Sequence, residues 1–258
     1  MFYRKISFIK KTQFVAFVTL LILFSCQSNY KIATIRTEKI AINDPIDNHK
    51  EIEQFIAPYR AHINKEMDSV LAFAPITLEK AKGKWQSNIG NMMADACLLY
   101  GNKVFQQRFQ KEIDICLLNS GGIRNIIPQG NITTRTAFEV MPFENSLVVM
   151  ELTGAQIKEM IQLFLADKKP HPLSGIQLEI NADDQLLSAK INGQNIENEH
   201  YYFIATSDYL ANGGDNMTFF LKAKNQFPLD YKIRNILIDY FKDNDTISAK
   251  TDERIIVR

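Results

Sequence analysis

The sequence contains few of the residues that build metal, redox and disulfide sites. Its 258 residues include four histidines, three cysteines and one tryptophan. Three cysteines are too few for a fold held together by several disulfides. Lys and Arg number 30 while Asp and Glu number 29, so the chain lacks the positive excess typical of proteins that bind nucleic-acid polymers.

Signature motifs of several enzyme classes are also missing. There is no Gly-x-Ser-x-Gly nucleophile elbow, no Walker phosphate loop and no His-Glu-x-x-His zinc motif. Asp47-Asn-His49 has the spacing of a metal-binding pair, but a two-metal site needs several convergent ligands and the chain has no second Asn-His pair. We therefore expect no cofactor, metal site or catalytic residue in this chain. His62 is expected to face solvent from a helix, and His171 to lie in a loop.

The first 25 residues resemble a bacterial signal peptide. Positive residues precede an apolar run at 14–24, which is too short for a comfortable membrane span. The positive residues are Arg4, Lys5, Lys10 and Lys11. The run ends Leu23-Phe-Ser-Cys26, which resembles the lipobox of bacterial lipoproteins.

The lipobox resemblance implies cleavage before Cys26, with a diacylglycerol on its sulfur. Residues 26–45 would then be a tether and residues 46–258 a single domain. We expect the chain in the bacterial cell envelope, lipid-anchored to a membrane on its periplasmic or surface face. An ordinary signal peptide or an uncleaved anchor remains an alternative.

The other two cysteines, Cys97 and Cys116, each lie in an apolar run, as small buried thiols do. A disulfide between them remains open, because the envelope is oxidising.

Apolar periodicity and turn residues predict a mixed α/β (α+β) domain around one sheet flanked by helices. Pro58 is expected to kink the first helix, and Gly101 to end the second. Gly130 and Asn192-Gly193 are predicted turns. Helices are predicted at residues 51–71, 88–100, 133–140, 154–166 and 229–241. Strands are predicted at residues 74–77, 113–118, 146–152, 176–180, 187–191, 201–206 and 255–257.

Two glycine pairs follow predicted buried strands. Asn119-Ser-Gly-Gly-Ile-Arg124 follows the strand at 113–118, and Asn212-Gly-Gly-Asp215 comes after the strand at 201–206. Paired glycines at the end of a buried strand let the backbone turn sharply and approach a ligand closely. Polar side chains flank both pairs, so the pattern indicates a binding cleft.

Three ordered blocks of sequence carry a family resemblance. The first block is residues 87–96, the second is spread over residues 118–124, 130–133, 141–145 and 152–154, and the third is residues 205–215. Their order and spacing resemble the C-terminal, substrate-binding domain of the 5'-nucleotidase family, over about residues 50 to 258.

The resemblance implies a nucleoside site. Phe143 and Tyr209 would sandwich the base, since every base has a face on which an aromatic ring can stack. Asn119 would hydrogen-bond the base, Asp215 would accept from ribose hydroxyls, and Arg124 would serve the ribose or phosphate. The residues placed in the site are Asn119, Gly121, Gly122, Arg124, Phe143, Asn145, Tyr209, Gly213, Gly214 and Asp215.

The sequence departs from the family pattern at three places. Asn216 stands where glycine is common, although Asn tolerates a left-handed backbone. Tyr209 replaces a frequent phenylalanine and can stack equally well. Lys82-Gly-Lys-Trp85 occupies a region that often holds an arginine, and a lysine cannot form the bidentate fork that an arginine makes with phosphate.

Asn88, Asn91 and Asp95 share one face of a predicted helix. We expect them to cap and pack that helix rather than contact a ligand, because caps of this kind are common.

In full-length members of the family, a two-metal metallophosphatase domain hydrolyses the phosphate. The resemblance therefore implies that this chain is the nucleotide- or nucleoside-recognising half of a 5'-nucleotidase-type hydrolase, in nucleotide catabolism. Divalent metals are expected on a metallophosphatase domain carried by a separate chain. The alternatives are a non-catalytic nucleoside-binding envelope lipoprotein and a structural lipoprotein that retains the fold without a ligand.

Overall fold

The structure is a computed structural model that describes residues 13–19, 34–39, 49–80 and 83–258. The chain divides into residues 1–53 and 54–258. In the first part, residues 13–19 are helical and residues 34–39 have no regular secondary structure. No helix among the described residues is both long and apolar enough to cross a membrane. Cys26, Asp47 and Lys82 lie outside the described residues, so lipidation at Cys26 stays a prediction.

Helices and strands alternate along the chain, which confirms the mixed α/β class. Apart from residues 13–19, the helices are α1 (Lys50–Met67), α2 (Asn88–Phe109), α3 (Thr134–Val140), α4 (Gly154–Asp167), α5 (Asp208–Ala211) and α6 (Ile233–Lys242). The strands are β1 (Val70–Ala74), β2 (Ile115–Leu117), β3 (Gly130–Thr133), β4 (Ser146–Thr153), β5 (Leu173–Ser174), β6 (Ile176–Ile180), β7 (Leu186–Ile191), β8 (Gln194–Asn195), β9 (Tyr201–Ser207), β10 (Asn225–Lys232) and β11 (Ile255–Val257). Short 3-10 turns lie at Ser120–Gly122, Gly214–Asn216 and Thr218–Lys222.

Within the described residues, the strands form three sheets rather than the single predicted one. The central sheet has five strands in the order β10-β4-β9-β2-β5. Its β2–β9 pair is parallel and its other pairs are antiparallel. A second sheet has the order β11-β6-β7-β8, with β11 parallel to β6, and β1 pairs with β3.

The central sheet is buried on both faces. Leu147 and Val149 pack in a cluster that also contains residues of α2 and α6. Val148 and Met150 pack in a second cluster, with the apolar face of α4. Successive side chains of a strand point to opposite faces, so a strand covered on both faces reads as a continuous apolar run. This explains why β4 is recognisable from its sequence.

The prediction that Gly101 ends helix α2 is wrong. The helix continues to Phe109, and Gln110, with φ 55°, follows its end in the left-handed region. Gly101 is buried in the middle of the helix, where a Cβ atom would lie 2.6 Å from a methyl carbon of Leu147. The glycine therefore permits a close approach between α2 and β4.

The boundaries near β1 also differ from the predictions. Helix α1 continues through Pro58 and ends at Met67, and none of its residues is buried. Strand β1 ends at Ala74 rather than beginning there. Pro75 follows it and has no N–H group to continue a ladder of hydrogen bonds. Gly130, predicted as a turn, begins β3.

The late helix is shorter than predicted. Residues 225–232 form β10, which pairs with β4 at the edge of the central sheet, and α6 begins only at Ile233. Proline is tolerated in an edge strand, so β10 can contain Pro228. The apolar and polar residues of β10 do not alternate regularly, so its sequence does not indicate a strand.

Several local predictions are confirmed. Helices α3 and α4 begin within one residue of the predicted positions, and the structure shows Thr133 and Thr153 as their N-terminal caps. Asn192 and Gly193 both have positive φ and connect the hairpin β7–β8. Cys97 and Cys116 are buried in one cluster as free thiols.

A cluster of phenylalanines on one face of the central sheet provides a stability test. The fully buried Phe105 ring lies 5.4 Å from the ring of Phe203 and 5.5 Å from that of Phe227. We expect Phe105→Ala to lower the free energy of unfolding by about 3–5 kcal/mol, because it removes apolar contacts and leaves a cavity. Urea denaturation followed by tryptophan fluorescence measures the change.

The matched control is Phe55→Ala, since the Phe55 side chain is 70% exposed. That substitution should change stability by no more than about 0.5 kcal/mol. Equal losses in both variants would contradict this description of the core.

Candidate functional site

The sheet topology brings three loops to one edge of the central sheet. Strands β2 and β9 are parallel neighbours, with Cys116 opposite Ala205, so the loops after them leave from the same edge. Strand β4 runs antiparallel to β9 and pairs Leu147 with Ser207, so the loop before β4 meets the same edge. The Thr206 hydroxyl donates a 2.8 Å hydrogen bond to the Leu117 carbonyl, which ties the two parallel strands together where they end.

A cleft of about 390 Å³ lies between these loops. Loop 119–124 supplies four of its lining residues, the loop before β4 supplies two, and the segment after β9 supplies two. The lining residues are Asn119, Gly121, Gly122, Arg124, Phe143, Asn145, Tyr209 and Asp215. All eight belong to the ten residues that the sequence predicts, so the structure brings them together; their contact with a ligand stays a prediction.

Asp215 is the polar centre of the cleft. One carboxylate oxygen accepts a 2.7 Å hydrogen bond from the side-chain amide of Asn119. The other accepts a 2.9 Å hydrogen bond from the Tyr209 hydroxyl. These contacts join the loop after β2 to the segment after β9 and orient the carboxylate before any ligand arrives.

The turn that carries Asp215 has a left-handed backbone at three positions: Gly213 has φ 83°, Asp215 has φ 50° and Asn216 has φ 60°. The expectation that Asn216 can replace a glycine in this turn is confirmed. Gly214 is required for a different reason, since a Cβ atom there would lie 2.5 Å from the Tyr209 ring. Gly213 and Gly214 therefore shape the cleft without lining it.

The two predicted stacking rings are half-exposed. Phe143 is 40% exposed and Tyr209 is 46% exposed, and both line the cleft, so their rings are accessible to a ligand. The Arg124 guanidinium lies 5.9 Å from the centre of the Phe143 ring. It also donates a 3.4 Å hydrogen bond to the Gly121 carbonyl, which ties the cation to the glycine loop that lines the cleft.

The residues of the predicted helix face are engaged elsewhere. Asn88 bonds the backbone of Thr77 and Glu79, and the buried Asn91 bonds Gln86 and the Lys250 carbonyl. Asp95 pairs with Arg254 at 2.9 Å. None of these three side chains lines the cleft described above.

Sequence reasoning missed Lys80. Its ammonium group donates to the carbonyls of Ser120 at 3.2 Å and Ile123 at 2.7 Å, so it supports the glycine loop from outside the cleft. Lys84, from the segment compared with the family arginine, instead pairs with Asp184 at 2.6 Å. Lys80 lies in an irregular segment, and nothing in the neighbouring sequence indicates its contact with the glycine loop.

Arg234 was also missed. This buried side chain, at the start of α6, donates to the carbonyls of Pro142 at 3.2 Å and Phe143 at 3.3 Å. It also pairs with Glu144, which Lys232 contacts as well. Hydrogen bonds from Lys232, and next from Arg234, lower the pKa of Glu144 to about 2. Arg234 therefore holds the segment that presents the Phe143 ring.

The part of the chain that the structure describes contains no group of three or more His, Cys, Asp or Glu side chains that could hold a metal ion. His62 is exposed beside Glu66, and the ring of His200 packs against Tyr202. His171 lies in a loop, as predicted, and its side chain is buried. These residues do not fit a two-metal centre, so no step through a metal is assigned to them.

Comparisons with known proteins agree with this architecture. The family described as "5'-nucleotidase, C-terminal domain" matches residues 70–222. The chain is 27% identical over 82% of its length to the trifunctional nucleotide phosphoesterase protein YfkN of Bacillus subtilis, covering 16% of that protein. It is 24% identical over 70% of its length to protein UshA of Escherichia coli, covering 32% of that protein.

A solved structure supports the same relationship. The 5'-nucleotidase precursor of Thermus thermophilus superposes with a TM-score of 0.68 and 25% identity, over 81% of this chain and 43% of the other. The fold and cleft define a mixed α/β domain with a cleft built from loops at one end of the central sheet. The chain belongs to the family of 5'-nucleotidase C-terminal domains, which confirms the resemblance. It spans less than half the length of these relatives.

Arg234 provides a test of how the Phe143 segment is held. We expect Arg234→Lys to lower the free energy of unfolding by about 2 kcal/mol, since a lysine cannot reach several carbonyls and a carboxylate with one planar group. Urea denaturation measures this loss.

Lys232→Ala is the matched control, because Lys232 contacts the same carboxylate from an exposed position. It should cost less than about 1 kcal/mol. If both variants lose the same stability, Arg234 does not hold the segment as described.

Proposed function

We propose that this chain is the nucleotide- or nucleoside-recognising half of a 5'-nucleotidase-type hydrolase that acts in nucleotide catabolism. The observation that carries the proposal is the cleft, in which two half-exposed rings flank an oriented carboxylate. Membership of the family supports a role in handling nucleotides.

Each part of a nucleoside monophosphate has a matching group in the cleft. The rings of Phe143 and Tyr209 offer faces on which a base can stack. Asp215 can accept hydrogen bonds from the ribose hydroxyls, because a carboxylate has more acceptor positions than its contacts with Asn119 and Tyr209 use. Arg124 supplies a cation on the side where a phosphate would extend.

Hydrolysis is assigned to a partner. Phosphate-ester hydrolysis by a two-metal site needs ligands that clamp the attacking and the leaving oxygen. We propose that a metallophosphatase domain on a separate chain holds the divalent metals, while this chain binds the nucleoside and presents the phosphate to it.

The proposed location is the bacterial cell envelope, with the chain anchored by a lipid on Cys26. The ordered signal-peptide features and the lipobox support this location. A relative described as a cell wall protein, from Listeria monocytogenes, is consistent with it and is 31% identical over 64% of this chain, covering 22% of that protein.

Calorimetry with AMP and adenosine tests the binding proposal. We expect Phe143→Ala and Tyr209→Ala each to weaken binding by about 1–3 kcal/mol, because each removes one stacked ring. Tyr201→Ala is a matched control, since Tyr201 is 39% exposed but lies outside the cleft. Lack of binding by the unaltered protein would contradict the proposal and favour a structural lipoprotein.

Mixing experiments test the division of labour. The purified chain should not hydrolyse AMP with divalent metals alone, and it should support hydrolysis when a metallophosphatase-domain protein is added. Phe143→Ala should reduce the activity of the mixture, because the nucleoside would be held less firmly.

Two outcomes decide against this division. Robust metal-dependent hydrolysis by the isolated chain would rule out the split enzyme. Intact binding without hydrolysis in any mixture would favour the alternative, a non-catalytic nucleoside-binding envelope lipoprotein.

A further inference from the structure

His171 is a buried side chain that touches the loop of the cleft without lining it. The residue is 3% exposed. Its Nδ1 atom accepts a 3.1 Å hydrogen bond from the backbone N–H of Ser120, the residue that follows Asn119. Its Nε2 atom lies 2.7 Å from a carboxylate oxygen of Asp167.

The hydrogen bond between Ser120 and His171 lies just beyond the point where the backbone pairing of β2 with β5 ends. Leu117 is paired with Leu173, and the Leu118 N–H donates to the Pro172 carbonyl at 2.9 Å. Beyond this point the chain of β2 turns into the glycine loop and the backbone ladder ends. The imidazole of His171 then supplies the acceptor for the next buried donor, Ser120 N–H.

These contacts specify the protonation state of the ring. A backbone N–H can only donate, so Nδ1 must carry no proton. The single ring proton is therefore on Nε2, where it is donated to Asp167, and the imidazole is neutral. A second proton would place an N–H on Nδ1, directly opposite the N–H of Ser120.

We propose that neutral His171 is a positioning residue, which holds the Ser120 backbone and thereby the Asn119 side chain in the cleft, so that protonation of the ring weakens ligand binding. The ligand in this statement is the nucleotide or nucleoside of the proposed function. The effect on the loop itself does not depend on that ligand.

The surroundings keep the ring neutral near neutral pH. Charged groups act on it from the end of α4, from the turn that follows and from the loop across the cleft, namely Asp167, Lys169 and Asp215. The two carboxylates favour the protonated ring, while burial and Lys169 oppose it. Burial has the largest effect, and the pKa of His171 is lowered from its ordinary value.

The direction of the pH effect follows from this lowered pKa. Above the ordinary histidine pKa of about 6.5, the ring is neutral in the folded and the unfolded chain, and its contact with Ser120 is fully present. As the pH falls below that value, the unfolded chain takes up a proton first, and stability declines. The Ser120 contact is lost when the pH reaches the lower pKa of the folded state.

The first test needs no ligand. In ¹⁵N-labelled full-length protein, we expect the amide resonances of Ser120 and Gly121 to shift as the pH falls from about 7.5 into the acid range, together with the ring signals of His171. In His171→Asn, whose side-chain oxygen can stand near the position of Nδ1 and does not titrate, these amide shifts should disappear. His62→Gln is the control, because His62 is exposed and distant from His171 in the sequence. This variant should leave the amide shifts unchanged.

The second test measures affinity for AMP and adenosine by calorimetry. His171→Leu, which removes the acceptor, should weaken binding about tenfold at about pH 7.5, as expected for a buried donor left unpaired. His171→Asn should stay within about threefold of the unaltered protein and should lose its acid sensitivity. A His171→Leu variant that does not fold leaves the unaltered protein and His171→Asn to decide the question.

The outcomes separate the two proposals. Amide shifts that are absent in the unaltered protein, or that persist in His171→Asn, overturn the role of His171. Amide shifts that follow His171, in a protein that binds neither AMP nor adenosine, support the positioning of the loop and contradict the proposed function instead. Equal acid sensitivity of affinity in the unaltered protein and His171→Asn also overturns the proposal.

Discussion

The parallel pairing of β2 with β9 is the contact on which the rest of the site depends. Both strands are buried on two faces, and their register places the ends of the strands at one edge of the sheet. Loops that are distant in sequence therefore emerge side by side. Asn119 and Asp215 are 96 positions apart in the chain, and this pairing is what brings them within hydrogen-bond distance.

The cleft is organised by residues that do not line it. Lys80 binds carbonyls of the glycine loop, His171 accepts from its backbone N–H, and Arg234 binds carbonyls beside Phe143. Irregular loops have no ladder of their own, so their buried polar groups need partners from side chains. These partners give the loops defined shapes, and the exposed rings of the cleft depend on those shapes. Preorganisation of this kind favours binding because less ordering remains to be done when a ligand arrives.

Much of the architecture could be predicted where local patterns were strong. Apolar periodicity and turn residues identified α3 and α4, and the apolar run 146–152 identified β4. The predictions were wrong where packing overrides local propensity. Gly101 is typical of a helix end, but here it allows α2 to approach β4 closely. The apolar residues of β10 show no regular period because the strand lies at the edge of the sheet. Mixed patterns of this kind take their conformation from their neighbours.

The amino-acid sequence alone determined the family, the mixed α/β class and the set of residues that line the cleft, because glycine turns and ordered motifs are local properties of a chain. The tertiary structure alone decided that Asp215 is held by both Asn119 and Tyr209. It also decided that His171, which lies in a loop, is buried against the glycine loop. The physical reason is that hydrogen bonds between distant segments depend on strand register and burial, which no local pattern encodes.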